Sequence, residues 1–255
     1  MKNIPSHHSR SSKKHAPVTG RYIMGKNCIE EVIKSNPKRI IQMYALRSDP
    51  VLEKKAEMFG FPLKIVSKQE LFHMVNSESH QSLVALVKEI NQPSLKEYLE
   101  KSAGKDKDLV LVLDSINDPQ NFGSLLRSAE CFGVGAVVWS KNRGTDLTPT
   151  ASKTGVGASE LITMIKVSNL VEAVKKCYEE GYEIITAEVG KNASDLDSFV
   201  FADKTVLIVG SEGDGVRSLL AKQAERCVYI PMSGAIDSLN VSQATAVILY
   251  RWKMK

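Results

Sequence analysis

The sequence predicts an α/β protein built around a mostly parallel sheet, and three observations carry that prediction. Residues 109–113 read Leu-Val-Leu-Val-Leu, the unbroken apolar run of a strand buried on both faces. Strand-like runs then alternate with helical periodicities to the end of the chain, as in sheets flanked by helices on both faces. Three clusters of glycine, proline and small polar residues, at 118–123, 210–215 and 230–242, each join a strand-like run to a helix-like one. In open α/β sheets such loops, at the carboxyl ends of the strands, are where ligands bind.

The elements follow in order. Residues 26–35 read as a short helix that stops before Pro37. A strand is expected at 39–46, a helix at 49–59 closed by Gly60, a strand at 63–66, a helix at 68–75 and a strand at 82–88. Together they form a small α/β module. Residues 91–108, with Pro93, Gly104 and the charge run Lys105-Asp106-Lys107-Asp108, read as a linker holding one helix at 94–101. Beyond it, further strands are expected at 136–139, 183–187, 205–209 and 227–230, and helices at 122–132, 169–180, 217–224 and 241–254. The organisation is therefore a basic tail at 1–20, expected to be disordered, a module at 21–90, the linker at 91–108 and a larger unit at 109–255. No internal repeat is visible.

Composition narrows the function classes. No apolar run approaches the ~20 residues that span a bilayer, and residues 1–19 lack the apolar core of a secretory signal. The net charge of +5 and pI near 8.9 are compatible with an RNA partner without demanding one. Cys28, Cys131, Cys177 and Cys227 have no zinc-like spacing, and a reducing cytoplasm fits them. Cys131 and Cys177 fall within helical patterns and read as core fillers.

The loops exclude several chemistries. Residues 114–121 contain no glycine, so a nicotinamide-binding turn does not follow the first strand. Gly210-Ser211-Glu212-Gly213-Asp214-Gly215 is a poor phosphate cradle, because two carboxylates would repel the anion and no Lys-Ser/Thr pair follows. A carboxylate between glycines suits hydrogen bonds from hydroxyls or pairing with an arginine. All five histidines lie outside the larger unit, which disfavours a Ser-His-Asp hydrolase there. Arg127 lies in an otherwise uncharged helical stretch, where its fork of donors suits a phosphate or carboxylate.

Taken together, the three loops resemble the signature motifs of the SpoU branch of the knotted-trefoil (SPOUT) RNA 2′-O-methyltransferases. The matching residues are Asp118-Pro119, Asn121, Gly123 and Arg127-Ser128-Ala129; then Gly210-Ser211-Glu212-Gly213 with Gly215-Val216; then Ile230-Pro231-Met232, Gly234 and Ser238-Leu239-Asn240-Val241-Ser242. Residues 25–89, ending in His80-Gln81, resemble the small RNA-binding domain of the 23S rRNA guanosine 2′-O-methyltransferase subgroup. Ser82 stands where that subgroup usually has glycine, and Gly155-Val156-Gly157-Ala158 replaces a more usual Ser/Cys-containing run.

The resemblance implies a trefoil knot, a homodimer, RNA as partner, S-adenosylmethionine as cofactor and no metal. It places Gly210, Ile230, Met232 and Leu239 at the cofactor, largely through backbone groups, and Asn121, Arg127, Glu212, Ser238 and Asn240 at the reaction site. The family assigns activation of the hydroxyl to the arginine. A guanidinium, with a pKa above ~12, is a poor base, so a clamp on the neighbouring phosphate, oriented by Glu212, is the alternative. Two rival readings are a tRNA ribose methyltransferase and a non-catalytic RNA-binding protein of the same fold.

Overall fold

The computed structural model describes residues 20–188 and 193–254, so the expected tail lies almost wholly outside the described residues. The front module contains β1 (Arg21–Met24), α1 (Lys26–Ser35), β2 (Ile40–Ala45), α2 (Pro50–Phe59), β3 (Leu63–Ile65), α3 (Lys68–Val75) and β4 (Leu83–Val87). Its sheet runs β1-β4-β2-β3, with only the β2–β3 pair parallel. Sequence reasoning missed β1, a four-residue edge strand that is easily lost beside the basic tail. Capping residues set the helix starts: Asp49 accepts from two α2 amides, and Ser67 forms a reciprocal box with Glu70.

Ser82 adopts a left-handed backbone (φ 63°), directly after Gln81 (φ 54°). This conformation is why glycine suits the position. Here the His80 ring holds the turn, its Nδ1 accepting from the Ser82 amide at 3.0 Å.

The larger sheet draws on α4 (Leu95–Ser102), β5 (Asp108–Leu113), α5 (Pro119–Cys131), β6 (Ala136–Ser140), α6 (Pro149–Thr154), β7 (Thr163–Val167), α7 (Leu170–Glu179), β8 (Glu183–Ala187), β9 (Ala193–Asp195), β10 (Lys204–Val209), α8 (Ser218–Ala221), β11 (Arg226–Tyr229) and α9 (Val241–Lys253). The strand order is β7-β6-β5-β10-β8-β11-β9, and every pairing is parallel. All six residues of β5 are buried, as its apolar run requires. Strand β10 comes late in the chain yet sits between β5 and β8, an arrangement that fits the knotted-trefoil class. It also brings the loops after β5 and β10 side by side.

Several expectations need correction. Cys131 is exposed at the end of α5 rather than a core filler, whereas Cys177 is buried. The helix expected at 217–224 shortens to the single turn of α8. The stretch expected to be a linker is packed: Leu95, Tyr98 and Leu99 of α4 are buried against the larger sheet. Tyr98 and Tyr182 both donate to Asp108 Oδ2 at 2.6 Å, which fastens α4 to the start of β5. Burial, reinforced by that carboxylate, pushes both phenols above their usual range.

The two sheets are joined by an ionic clasp. Glu160, whose side chain is wholly buried, pairs with Arg21 of β1 and with Arg39 Nη1 at 2.6 Å. Arg21 also donates to Ser152 Oγ (3.1 Å), and Arg39 donates to the Lys88 carbonyl. Two guanidiniums share one buried carboxylate, so removing the acid strands both. Glu160→Gln is expected to cost about 3–5 kcal/mol, read as a lower midpoint in thermal denaturation. A loss below about 1 kcal/mol would mean that the pairs are screened like surface ion pairs.

Candidate active site

The site is assembled where the loops after β5, β10 and β11 converge. Asp118 caps α5 by accepting from the Gln120 and Asn121 amides at 3.0 and 3.3 Å, with Pro119 in the first turn. This fixes Asn121 at the helix start, facing the loop after β10. That loop folds back sharply: the Gly215 amide bonds the Ser211 carbonyl at 3.0 Å. A Cβ on Gly210 would lie 2.0 Å from the Gly215 carbonyl carbon and oxygen, so only glycine permits the return. Asn240 is the N-cap of α9, its Oδ1 accepting from the Ser242 amide (2.9 Å) and hydroxyl (2.5 Å).

Three side chains from the three loops then meet. Asn240 Nδ2 donates to Glu212 Oε1 at 2.5 Å and to Asn121 Oδ1 at 2.9 Å, and Asn121 Nδ2 donates to Glu212 Oε1 at 3.2 Å. Asn121 and Glu212 border a hollow of about 220 Å³ lined also by Ile116, Asn117, Asp118, Ser211 and Val241. One carboxylate oxygen is thus held by two amides, while among the described residues no partner engages Oε2.

Arg127 is not in this network. It is exposed and, among the described residues, has no ion-pair or hydrogen-bond partner. Within this chain Glu212 is held by the two asparagines, not by Arg127. The reason is helical geometry, since six residues at 3.6 per turn place Arg127 about 240° around α5 from Asn121. Ser238 is likewise exposed and, among the described residues, has no hydrogen-bond partner.

Gly210 is buried and Ile230 packs partly into the core, whereas residues 231–239 are exposed throughout, including Met232 (38%) and Leu239 (40%). Among the described residues, no backbone amide or carbonyl from 232 to 239 bonds elsewhere in the chain. These free polar groups beside exposed apolar side chains suit a ligand with a planar heteroaromatic part and a polar edge.

Thiolate chemistry at three of the four cysteines is disfavoured, because burial pushes the Cys28 and Cys177 thiols up to about 12 and raises Cys227. What remains is positioning chemistry: amides, a carboxylate and a free guanidinium.

Comparison with known proteins bears on this arrangement. Residues 108–250 match the model of the SpoU rRNA Methylase family, and residues 22–93 match that of the RNA 2′-O ribose methyltransferase substrate-binding domain. The 23S rRNA (guanosine-2′-O-)-methyltransferase RlmB of Vibrio vulnificus is 31% identical over 242 residues, covering 91% of this chain and 96% of its own. The enzyme of the same name from Haemophilus ducreyi is 32% identical over 237 residues, covering 89% and 95%. The SpoU methyltransferase AviRb from Streptomyces viridochromogenes superposes with a TM-score of 0.75 at 19% identity, over 92% of this chain and 89% of its own.

The tight return at Gly210 yields a direct test. Gly210→Ala meets backbone rather than a yielding side chain and is expected to cost about 1–3 kcal/mol. Gly104→Ala, with open space around its Cβ, should stay within about 0.5 kcal/mol. Equal thermal midpoints for the two variants would show that the loop is not held closed.

Proposed function

This chain belongs to the SpoU rRNA methylase family, and we propose that it methylates the ribose 2′-hydroxyl of a guanosine in large-subunit ribosomal RNA. The observation that carries this reading is the Asn121–Glu212–Asn240 network at the convergence of the three loops. It stands in a chain alignable over nine-tenths of its length with guanosine 2′-O-methyltransferases. That alignment includes the front module, which favours ribosomal RNA over the tRNA alternative.

The cofactor is S-adenosylmethionine, which supplies an electrophilic methyl group on a sulfonium. Gly210, Ile230, Met232 and Leu239 would hold it, chiefly through the free backbone groups of the loop after β11. The chain's own work is to position the 2′-oxygen and to stabilise charge as its proton leaves. Displacement from a sulfonium needs no Lewis acid, so no metal is required. Asn121 and Asn240 hold Glu212, whose second oxygen is left to accept from a ribose hydroxyl. Arg127 clamps the adjacent phosphate and stabilises the developing alkoxide.

Because one chain keeps Arg127 away from Glu212, each site is completed by a second copy. The homodimer surface we assign is the stripe Val247 and Tyr250 on α9 with Met254 at its C-cap, exposed by 41, 55 and 64%, at the spacing of one helical face. The opposite face, Ile248, Leu249 and Trp252, is buried in the core. The front module at 21–90 reads RNA structure around the target. No described helix is long and apolar enough to cross a membrane, and the site of action is the cytoplasm.

Mapping of 2′-O-methyl groups in large-subunit rRNA from a strain lacking the gene tests the reading, which predicts one missing guanosine methylation restored by the gene. Arg127→Ala should lower the rate roughly a hundred- to a thousand-fold, about 2.7–4 kcal/mol, with S-adenosylmethionine affinity retained. Arg127→Lys should rescue little, because a point charge lacks the planar fork. Near-normal turnover of the alanine variant would remove Arg127 from the mechanism.

A further inference from the structure

We propose that a second cleft, separate from the triad's hollow, seats backbone phosphates of the RNA that flanks the target ribose. This rests on the reading of the chain as an rRNA methylase. The cleft, of about 640 Å³, opens at the carboxyl ends of β6 and β7 and is of a size that accommodates a nucleotide. Arg143, Lys175 and Arg217 line it, together with hydrogen-bonding groups such as Ser140 and Ser168, and no carboxylate does. In this it differs from the other hollows. The triad's hollow carries Asp118 and Glu212, and the groove of the front module sets Glu30 and Asp49 among its lysines and arginine.

One of the three cations is held in place from beneath. Asp114, wholly buried, accepts from the Arg217 amide at 2.9 Å and from its Nε at 2.7 Å, and lies 2.7 Å from Nη2. Ser115, in a left-handed backbone (φ 60°), donates its hydroxyl to the same carboxylate at 3.2 Å. The Arg217 side chain remains 37% exposed, and its Nη1 has no partner among the described residues. A guanidinium fixed on one edge and free on the other is pre-organised for a bidentate oxyanion. Arg143 is exposed without an ion-pair partner among the described residues, and Lys175 reaches Glu172 only at 3.8 Å at the surface.

The cleft adjoins the reaction site across a single wall. Asp114 braces Arg217 on one side, while Ile116 and Asn117 line the triad's hollow on the other. The Ile116 carbonyl accepts from the Thr145 amide at 2.7 Å, which anchors the loop carrying Arg143. An RNA strand leaving the triad's hollow over this wall passes into three cations. Its phosphates supply the charge that the cleft lacks.

The test is the double variant Arg143→Glu/Lys175→Glu, both surface positions, assayed with large-subunit rRNA isolated from a strain lacking the gene. RNA affinity should fall at least about tenfold, and the slope of log affinity against log salt should become shallower by roughly 0.7 for each phosphate no longer neutralised. S-adenosylmethionine affinity and the thermal midpoint should match the wild type. Unchanged affinity and slope, with the wild type still methylating, would overturn the cleft and leave the methylase reading standing. A wild type that neither binds nor methylates this RNA would overturn both. Guanosine 5′-monophosphate binding the wild type as tightly as the RNA, but not the double variant, would make the cleft a free-nucleotide pocket and overturn the RNA assignment.

Discussion

The carboxylate of Glu212, held by the side-chain amides of Asn121 and Asn240, is the interaction on which the site depends. It ties together loops separated by as many as 119 residues, and each loop needs its own device to present its member. Asp118 caps α5 to present Asn121, the return at Gly210 presents Glu212, and Asn240 is itself the cap of α9. The parallel strand order makes the meeting possible, because inserting β10 beside β5 sets their carboxyl-end loops next to each other. Loss of any one device leaves the other two loops without a common partner.

The same geometry explains what a single chain leaves unfinished. Helix α5 is seated on α6 so closely that a Cβ on Gly123 would lie 2.4 Å from the Ala151 carbonyl oxygen. Its rotation is therefore fixed, and with it the separation of Asn121 from Arg127 around the helix. That seating leaves Arg127 exposed and without a partner among the described residues, beside the exposed apolar stripe of α9. In the proposed dimer, a second copy covers the stripe and supplies the cation.

Much of the site was legible in the sequence because its residues sit in motifs whose glycines, prolines and caps have local causes. Asn121, Glu212 and Asn240 were all identified, yet their mutual bonding was not, since pairing across loops leaves no periodicity to read. Strands β5, β8 and β10 announced themselves as apolar runs, whereas β7 and β9 are short, mixed in polarity and near the sheet edge. Cys131 misled because a helical pattern gives the face of a residue only when the helix end is known. The basic cleft draws its cations from the loop after β6, from helix α7 and from the loop after β10, and its one sequence signal was Arg217 at the end of the glycine-rich loop.

The central claim is that Arg127 of one copy serves the Asn121–Glu212–Asn240 network of the other, and mixing two inactive variants tests it most directly. Arg127→Ala and Glu212→Ala homodimers should each be inactive on large-subunit rRNA from the deletion strain. After subunit exchange, heterodimers should carry one intact site, restoring about a quarter of wild-type activity if pairing is random. No recovery, with exchange verified by mass spectrometry, would place Arg127 and Glu212 in the same chain's site and contradict the account.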